Sequence, residues 1–146
     1  MDIIFDKPTI YVSHPIRGTS GDIQGNCRKA LACKRKLEKV FPEVDFYVPA
    51  AGDLTLQILS HHKLISIDDI MFADLQILRA CHGYIWLKWE DSVGSSIELE
   101  AAQRENLTVG MEDVIRDDLS KANFGSIRKR LIPVVDQAVE KFRRRK

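Results

Sequence analysis

The strongest constraint on what this chain can fold into is an alternation of short β-branched and aromatic runs with longer segments of helical spacing. Residues 9–13, Thr-Ile-Tyr-Val-Ser, read as a strand entering a loop marked by Pro15 and Gly18. Over residues 26–40 the apolar Ala30, Leu31, Leu37 and Val40 keep helical spacing among Arg and Lys, and Phe41-Pro42 closes the segment. Residues 44–48 read as a second strand, 53–60 and 68–81 as helices each opened by an Asp, and 83–87 as a buried strand. A loop at 88–94, a helix at 95–105 and a short strand at 107–109 follow. Helices at 111–122 and 132–145 complete the chain, with Pro133 in the first turn of the last. Such alternation predicts an α/β fold, a doubly wound and mostly parallel sheet of about five strands with helices on both faces and extra helices at the C-terminal end. In sheets of this kind ligands bind outside the carboxyl ends of the strands, so the loops at 13–22, 49–53 and 88–94 should share one crevice.

No repeat, linker or low-complexity tract divides residues 1–146, which fit a single domain. A hydrophobic content of 45% with 29% charge excludes a disordered or collagen-like chain. The net charge of +1 is too small to draw the molecule onto a nucleic-acid polymer, so any anion site must be local. The apolar runs, such as residues 83–87, stop far short of the ~20 residues that span a bilayer. Asp2 and Asp6 stand where a signal peptide would be basic, which predicts a cytoplasmic protein. Cys27, Cys33 and Cys81 form neither an even disulfide set nor a metal knuckle, and His61-His62 point about 100° apart on a helix. Neither a metal site nor a cofactor is expected.

Three features carry candidate chemistry. Asp74 lies between Ile70, Ile77, Leu78 and Cys81 on one helical face, with Arg79 opposite. A carboxylate centred in an apolar stripe is costly unless paired or protonated, although one at the rim of the stripe would simply reach water. Residues 92–98, Ser-Val-Gly-Ser-Ser-Ile-Glu, form a small-residue turn at a helix start, where exposed N–H groups favour an anion. There Ser95-x-x-Glu98 also fits a capping box, with Glu98 bonding back to the Ser95 amide. The loop at 13–21 offers Arg17, whose planar fork of donors suits a phosphate, or which is merely solvated. His14 and His82 are acid–base candidates or satisfied histidines, and the basic tail at 141–146 fits a helix C-terminus.

These features occur in an order that resembles the nucleoside 2-deoxyribosyltransferase superfamily. Tyr11-x-x-x-x-Ile16-Arg17-Gly18, then Val48-Pro49-Ala50, then Asp74-Leu75-x-x-Leu78, then Ser92-x-Gly94-x-x-x-Glu98 carry the resemblance, which spans roughly residues 9–109. Within the superfamily the chain looks most like the 2′-deoxynucleoside 5′-phosphate N-hydrolases and small relatives with a Trp-Glu-x-Ser-x-Gly loop, here Trp89 to Gly94. The resemblance implies a flavodoxin- or Rossmann-like sheet. It also implies Glu98 as nucleophile, Asp74 as the carboxyl group at the leaving base, and Tyr11 as a further catalytic residue. Ile16, Arg17, Gly18, Ser92, Gly94 and Ser96 fall on its substrate-binding positions. The implied activity is cleavage of the base–sugar bond of (deoxy)nucleoside 5′-monophosphates through a covalent glycosyl intermediate on Glu98. The alternatives are base exchange on free nucleosides, and a non-catalytic nucleotide-binding module. Ser92 favours the phosphate branch, because the transferases carry an Asp there that would repel a dianion. The chain departs from the hydrolases at Pro15, where they have Ser, and at His82, where the family has Asp. The family completes its site with a residue from a neighbouring subunit, which implies a homodimer or higher oligomer and points to the region of Asn123 and Ser126.

Overall fold

The computed structural model describes residues 3–145, with residues 53–55 and 57 described by their backbone alone. Its centre is a parallel sheet of four strands, β1 (Thr9–Ser13), β2 (Asp45–Tyr47), β3 (Gly83–Leu87) and β4 (Val114–Ile115), in the order β2-β1-β3-β4. Five α-helices accompany them: α1 (Ile23–Val40), α2 (Ala50–His61), α3 (Ile67–Ala80), α4 (Val93–Arg104) and α5 (Phe124–Arg145). The result is a Rossmann-like α/β fold whose strand order turns back between β1 and β3, the switch point at which such sheets take ligands.

The period-two alternation of side chains in a strand explains the layering. Ile10, Val12, Ile85, Leu87 and Ile115 face one side, packed with Ala30, Cys33 and Leu37 of α1 and Leu131, Val134, Val135 and Ala138 of α5. Tyr11, Tyr84 and Trp86 face the other, packed with Leu78 of α3 and Ala101 and Ala102 of α4. Register sets Tyr11 opposite both Tyr47 and Tyr84, so three tyrosines lie side by side across β2, β1 and β3.

β1 and β3 occupy the residues the pattern predicts, and the differences gather at helix ends and in the last third. α1 starts three residues earlier than expected, because Asp22 caps it by accepting from the Gly25 amide at 3.0 Å. α3 opens on Ser66 in a capping box with Asp69, rather than on Asp68. α2 begins at Ala50, which puts Asp53 inside the helix rather than at its start.

The sheet has four strands rather than five, and its last is not at 107–109. There Leu107 is buried in a loop, and its amide returns to the Ala102 carbonyl at 2.9 Å. The helix expected over 111–122 gives way to two single 3₁₀ turns, Met111–Asp113 and Leu119–Lys121, around β4. Asp113 accepts from the amides of Val109 and Gly110, Asp118 caps only the short second 3₁₀ turn, and the β-branched pair Val114-Ile115 joins β3. α5 runs from Phe124, so Pro133 lies in its interior. The proline is exposed, while Ile127, Leu131, Val134 and Val135 hold the opposite face in the core.

Asp113 anchors the turn before β4 by accepting from the amides of Val109 at 2.7 Å and Gly110 at 2.6 Å. Asp113→Ala should lower stability by about 2 kcal/mol, the cost of leaving both donors without their acceptor. In urea melts the midpoint should fall with the slope unchanged; an unmoved midpoint would show that the turn holds without this carboxylate.

Candidate functional site

β1 directs two hydroxyl groups at one carboxylate. Tyr11 and Ser13 are two residues apart on the strand, so both point toward α4, and there they meet Glu98. The Tyr11 hydroxyl donates to Glu98 Oε2, and the Ser13 hydroxyl donates to Oε1 at 2.7 Å. Burial, with the nearby charges of Glu98 and Asp74, holds the Tyr11 phenol well above its ordinary range, so it remains a donor. Glu98 is 5% exposed. It does not cap α4. The N-cap is Ser92, whose hydroxyl accepts from the Ser95 amide at 3.3 Å, which corrects the Ser95-x-x-Glu98 box. Because the helix begins three residues earlier than the box requires, Glu98 lies in its second turn and faces the sheet.

Asp74 is 6% exposed and shares the inward face of α3 with Ile70 and Leu78, so it is buried rather than set at the rim in water. Tyr11 lies close enough to feel the charge of both Asp74 and Glu98, which sets two carboxyl groups around one phenol.

A cavity of about 700 Å³ opens at the switch point. Its wall includes Ile16, Arg17 and Gly18 from the loop after β1, Asp74 from α3, and Ser92, Gly94 and Ser96 from the start of α4. Glu98 and Tyr11 are not in that wall; both are buried between α4 and the sheet. Several lining residues were not singled out from the sequence: Ile67, Asp68, Ile70 and Met71 of α3, with Asp91, Val93 and Ile97 on the α4 side. Gly94 permits this packing, since a Cβ there would come within 3.2 Å of the Met71 methyl group.

The crevice is braced by residues with little local signal of that role. Asn26, on the buried stripe of α1 with Ala30, Cys33 and Leu37, donates through its side-chain nitrogen to the Ile16 carbonyl at 2.9 Å and to Glu90 at 3.0 Å. Its side-chain oxygen accepts from the Trp89 indole at 3.0 Å. Glu90 also accepts from Ser20 at 3.1 Å. The loops after β1 and β3 are thereby tied through one amide. Gly18 completes the arrangement at φ +56°, in the left-handed region, with the Glu90 carboxylate where a side chain would stand.

His14 links the third loop. Its Nδ1–H donates to the Pro15 carbonyl at 2.9 Å and its Nε2 accepts from the Ala50 amide at 3.2 Å, while the ring stacks on Trp89. The loop at 49–53 was expected to border the crevice; Pro49 and Ala50 are tied to it through His14 and are not in its wall. His82 is at the opposite end of the sheet, where its Nδ1 accepts from the Thr9 amide at 3.0 Å. Asn123 caps α5 by accepting from the Ser126 amide at 2.8 Å. Among the described residues no cluster of His, Cys, Asp and Glu is placed to hold a metal ion, and no helix is long and apolar enough to cross a membrane.

Burial lowers both His14 and His82 to about 4, with the charges of Arg145 and Lys141 adding to the effect at His82. An unfolded chain protonates the same rings near pH 6.5, so on acidification the unfolded state binds protons that the folded state refuses. Their contribution is complete above about pH 6.5 and is lost as pH falls toward 4. The urea midpoint should therefore decline between pH 7 and 5, with a shallower decline in His14→Gln. Identical slopes in variant and wild type would contradict the assignment.

No family model, no curated protein and no solved structure matches this chain.

Proposed function

We propose that the protein is an N-glycosidase that hydrolyses the base–sugar bond of nucleoside 5′-monophosphates through a glycosyl ester on Glu98. One observation carries the reading: a buried carboxylate with each oxygen held by a hydroxyl donor, beside a second buried carboxyl group that lines a cavity at the switch point. The motif order from Tyr11 to Glu98 is the independent support.

In this reading the sugar reaches past the cavity wall to the buried Glu98, which attacks the anomeric carbon; the C1′–N bond breaks, and its electron pair leaves with the base, which takes a proton from Asp74. Water then attacks the same carbon and gives its proton to Asp74, while the C1′–O bond to Glu98 breaks and the pair returns to the carboxylate. Tyr11 keeps Glu98 oriented through both steps. Arg17 and the first turn of α4, with Ser92, Gly94 and Ser96, form the anion end of the site, where first-turn amides and a guanidinium both favour a phosphate. Ile16 and Gly18 flank Arg17 in the same wall.

A second reading, base exchange on free nucleosides, draws support from the charges of the wall. Asp68, Asp74 and Asp91 all line the cavity with Arg17, although Asp91 pairs with Lys88 at 3.5 Å. Uncompensated acids there would oppose a dianion.

A panel of nucleosides and their monophosphates, scored for free base by chromatography, tests both. Glu98→Gln should cut base release about a thousandfold or more while preserving the helix start, because Ser92 is the cap. Asp74→Asn should slow it about a hundredfold, most for poor leaving groups. Arg17→Ala removes a charge-assisted contact of ~1.5–3 kcal/mol and should weaken monophosphate use about ten- to hundredfold with nucleosides barely affected. Ser92→Asp should swing preference toward nucleosides. A wild type that prefers nucleosides and ignores both substitutions supports exchange. Binding of nucleotides without base release would sink both enzymatic readings.

The same reading makes the chain a homo-oligomer, at least a dimer. Near the cavity Ile67, Val93 and Ile97 are exposed, and so is Phe72 on α3 at 65%, a set of apolar side chains that a second copy would cover. Light scattering should return at least twice the chain mass of 16.7 kDa, and a monomer with full activity would refute the claim.

A further inference from the structure

The chemistry above uses Tyr11 but leaves Ser13 without a role. Ser13 is fully buried at the end of β1, on the face that carries Tyr11, and its hydroxyl is spent on Glu98 Oε1 at 2.7 Å. Behind it stands Tyr84, set opposite Tyr11 in the strand register. The Tyr84 hydroxyl lies next to Ser13, is buried, and is out of hydrogen-bonding geometry with every described residue. Burial keeps that phenol protonated, so it too stands as a donor.

We propose that Ser13 is a positioning residue that holds Glu98 ionised and in one orientation. The assignment of catalytic consequences rests on the glycosidase reading; the hold on Glu98 does not. A carboxylate taken out of water needs a donor at each oxygen, because an unmet charge in that layer would be neutralised instead. Tyr11 serves Oε2, and Ser13 is the donor at Oε1. The contact matters most when the glycosyl ester breaks and charge returns to Glu98, since a hydroxyl bonds a full carboxylate more strongly than an ester. The strand period puts Ser13 on the same face as Tyr11, where its hydroxyl meets the carboxylate.

The test pairs kinetics with a readout that needs no substrate. The Glu98 carboxyl carbon, identified by the loss of its signal in Glu98→Gln, is titrated by carbon-13 NMR in wild type, Ser13→Ala and Ser13→Thr. Ser13→Ala should titrate at higher pH than wild type, and Ser13→Thr, which keeps the hydroxyl, should move back toward it. With substrate, Ser13→Ala should lower kcat about ten- to hundredfold at little change in KM. Circular dichroism verifies that each variant is folded; should Ser13→Ala fail to fold, Ser13→Cys, a weaker donor of similar size, replaces it and should shift the titration in the same direction by less. A wild type that releases no base, combined with a shifted titration, defeats the glycosidase reading and upholds the Ser13 assignment. A wild type that releases base, with titration and kcat both unmoved in Ser13→Ala, overturns it.

Discussion

A carboxylate buried against a parallel sheet has to be met by donors, and here one strand provides both. The Tyr11 and Ser13 hydroxyls reach the two oxygens of Glu98, while Ile10 and Val12 between them fill the apolar core on the other face. The two-residue period of β1 therefore separates a dry layer under α1 and α5 from a polar, aromatic layer under α3 and α4. The tyrosine row across β2, β1 and β3, the inward Asp74 and the inward Glu98 all belong to the polar layer. Among the described residues, buried side-chain atoms of Tyr84, Trp86, Ser95 and Asp113 make no hydrogen bond within the chain.

The parts that were legible in the sequence are those governed by strong local periodicity. Residues 9–13 and 83–87 form strands because β-branched and aromatic residues run there between clear breakers, and α3 forms because one apolar stripe recurs through it. Helix starts were less legible, since Asp22, Ser66 and Ser92 compete with neighbouring Asp and Ser residues for the cap and only backbone geometry decides. The last third was misread because Asp113 and Asp118 favour turns as readily as helix starts, and because a two-residue strand leaves almost no pattern.

Residue type marked Asp74 and Arg17 as candidates, each with a plain structural alternative beside it, whereas Glu98 stood apart from the capping pattern of Ser95 only through the resemblance. The candidate site was not legible where a residue acts by touching something distant in sequence. Asn26 reads as a polar residue near a helix start, yet it meets Ile16 and Glu90 across three elements. Its one local signal is its place on a stripe with Ala30, Cys33 and Leu37, where a buried amide demands partners. His14 is similar: only the Ala50 amide and the Trp89 ring reveal that it is a strut.

That strut and the Asn26 amide give the two sides of the cavity different mechanical characters. On one side the loops after β1, β2 and β3 are bolted together by His14, Asn26, Trp89 and Glu90, so none can swing without breaking bonds held by the others. On the other side α3 and α4 meet the cavity through Ile67, Met71, Val93 and Ile97, flexible or exposed side chains with no polar ties to hold them. The crevice is thus a fixed jaw facing an adaptable one. In the proposed reading a polar end is held from both jaws, by Arg17 on one and by Ser92 and Ser96 on the other, while Ile67, Met71, Val93 and Ile97 leave the α3–α4 side able to fit differently sized apolar or planar groups.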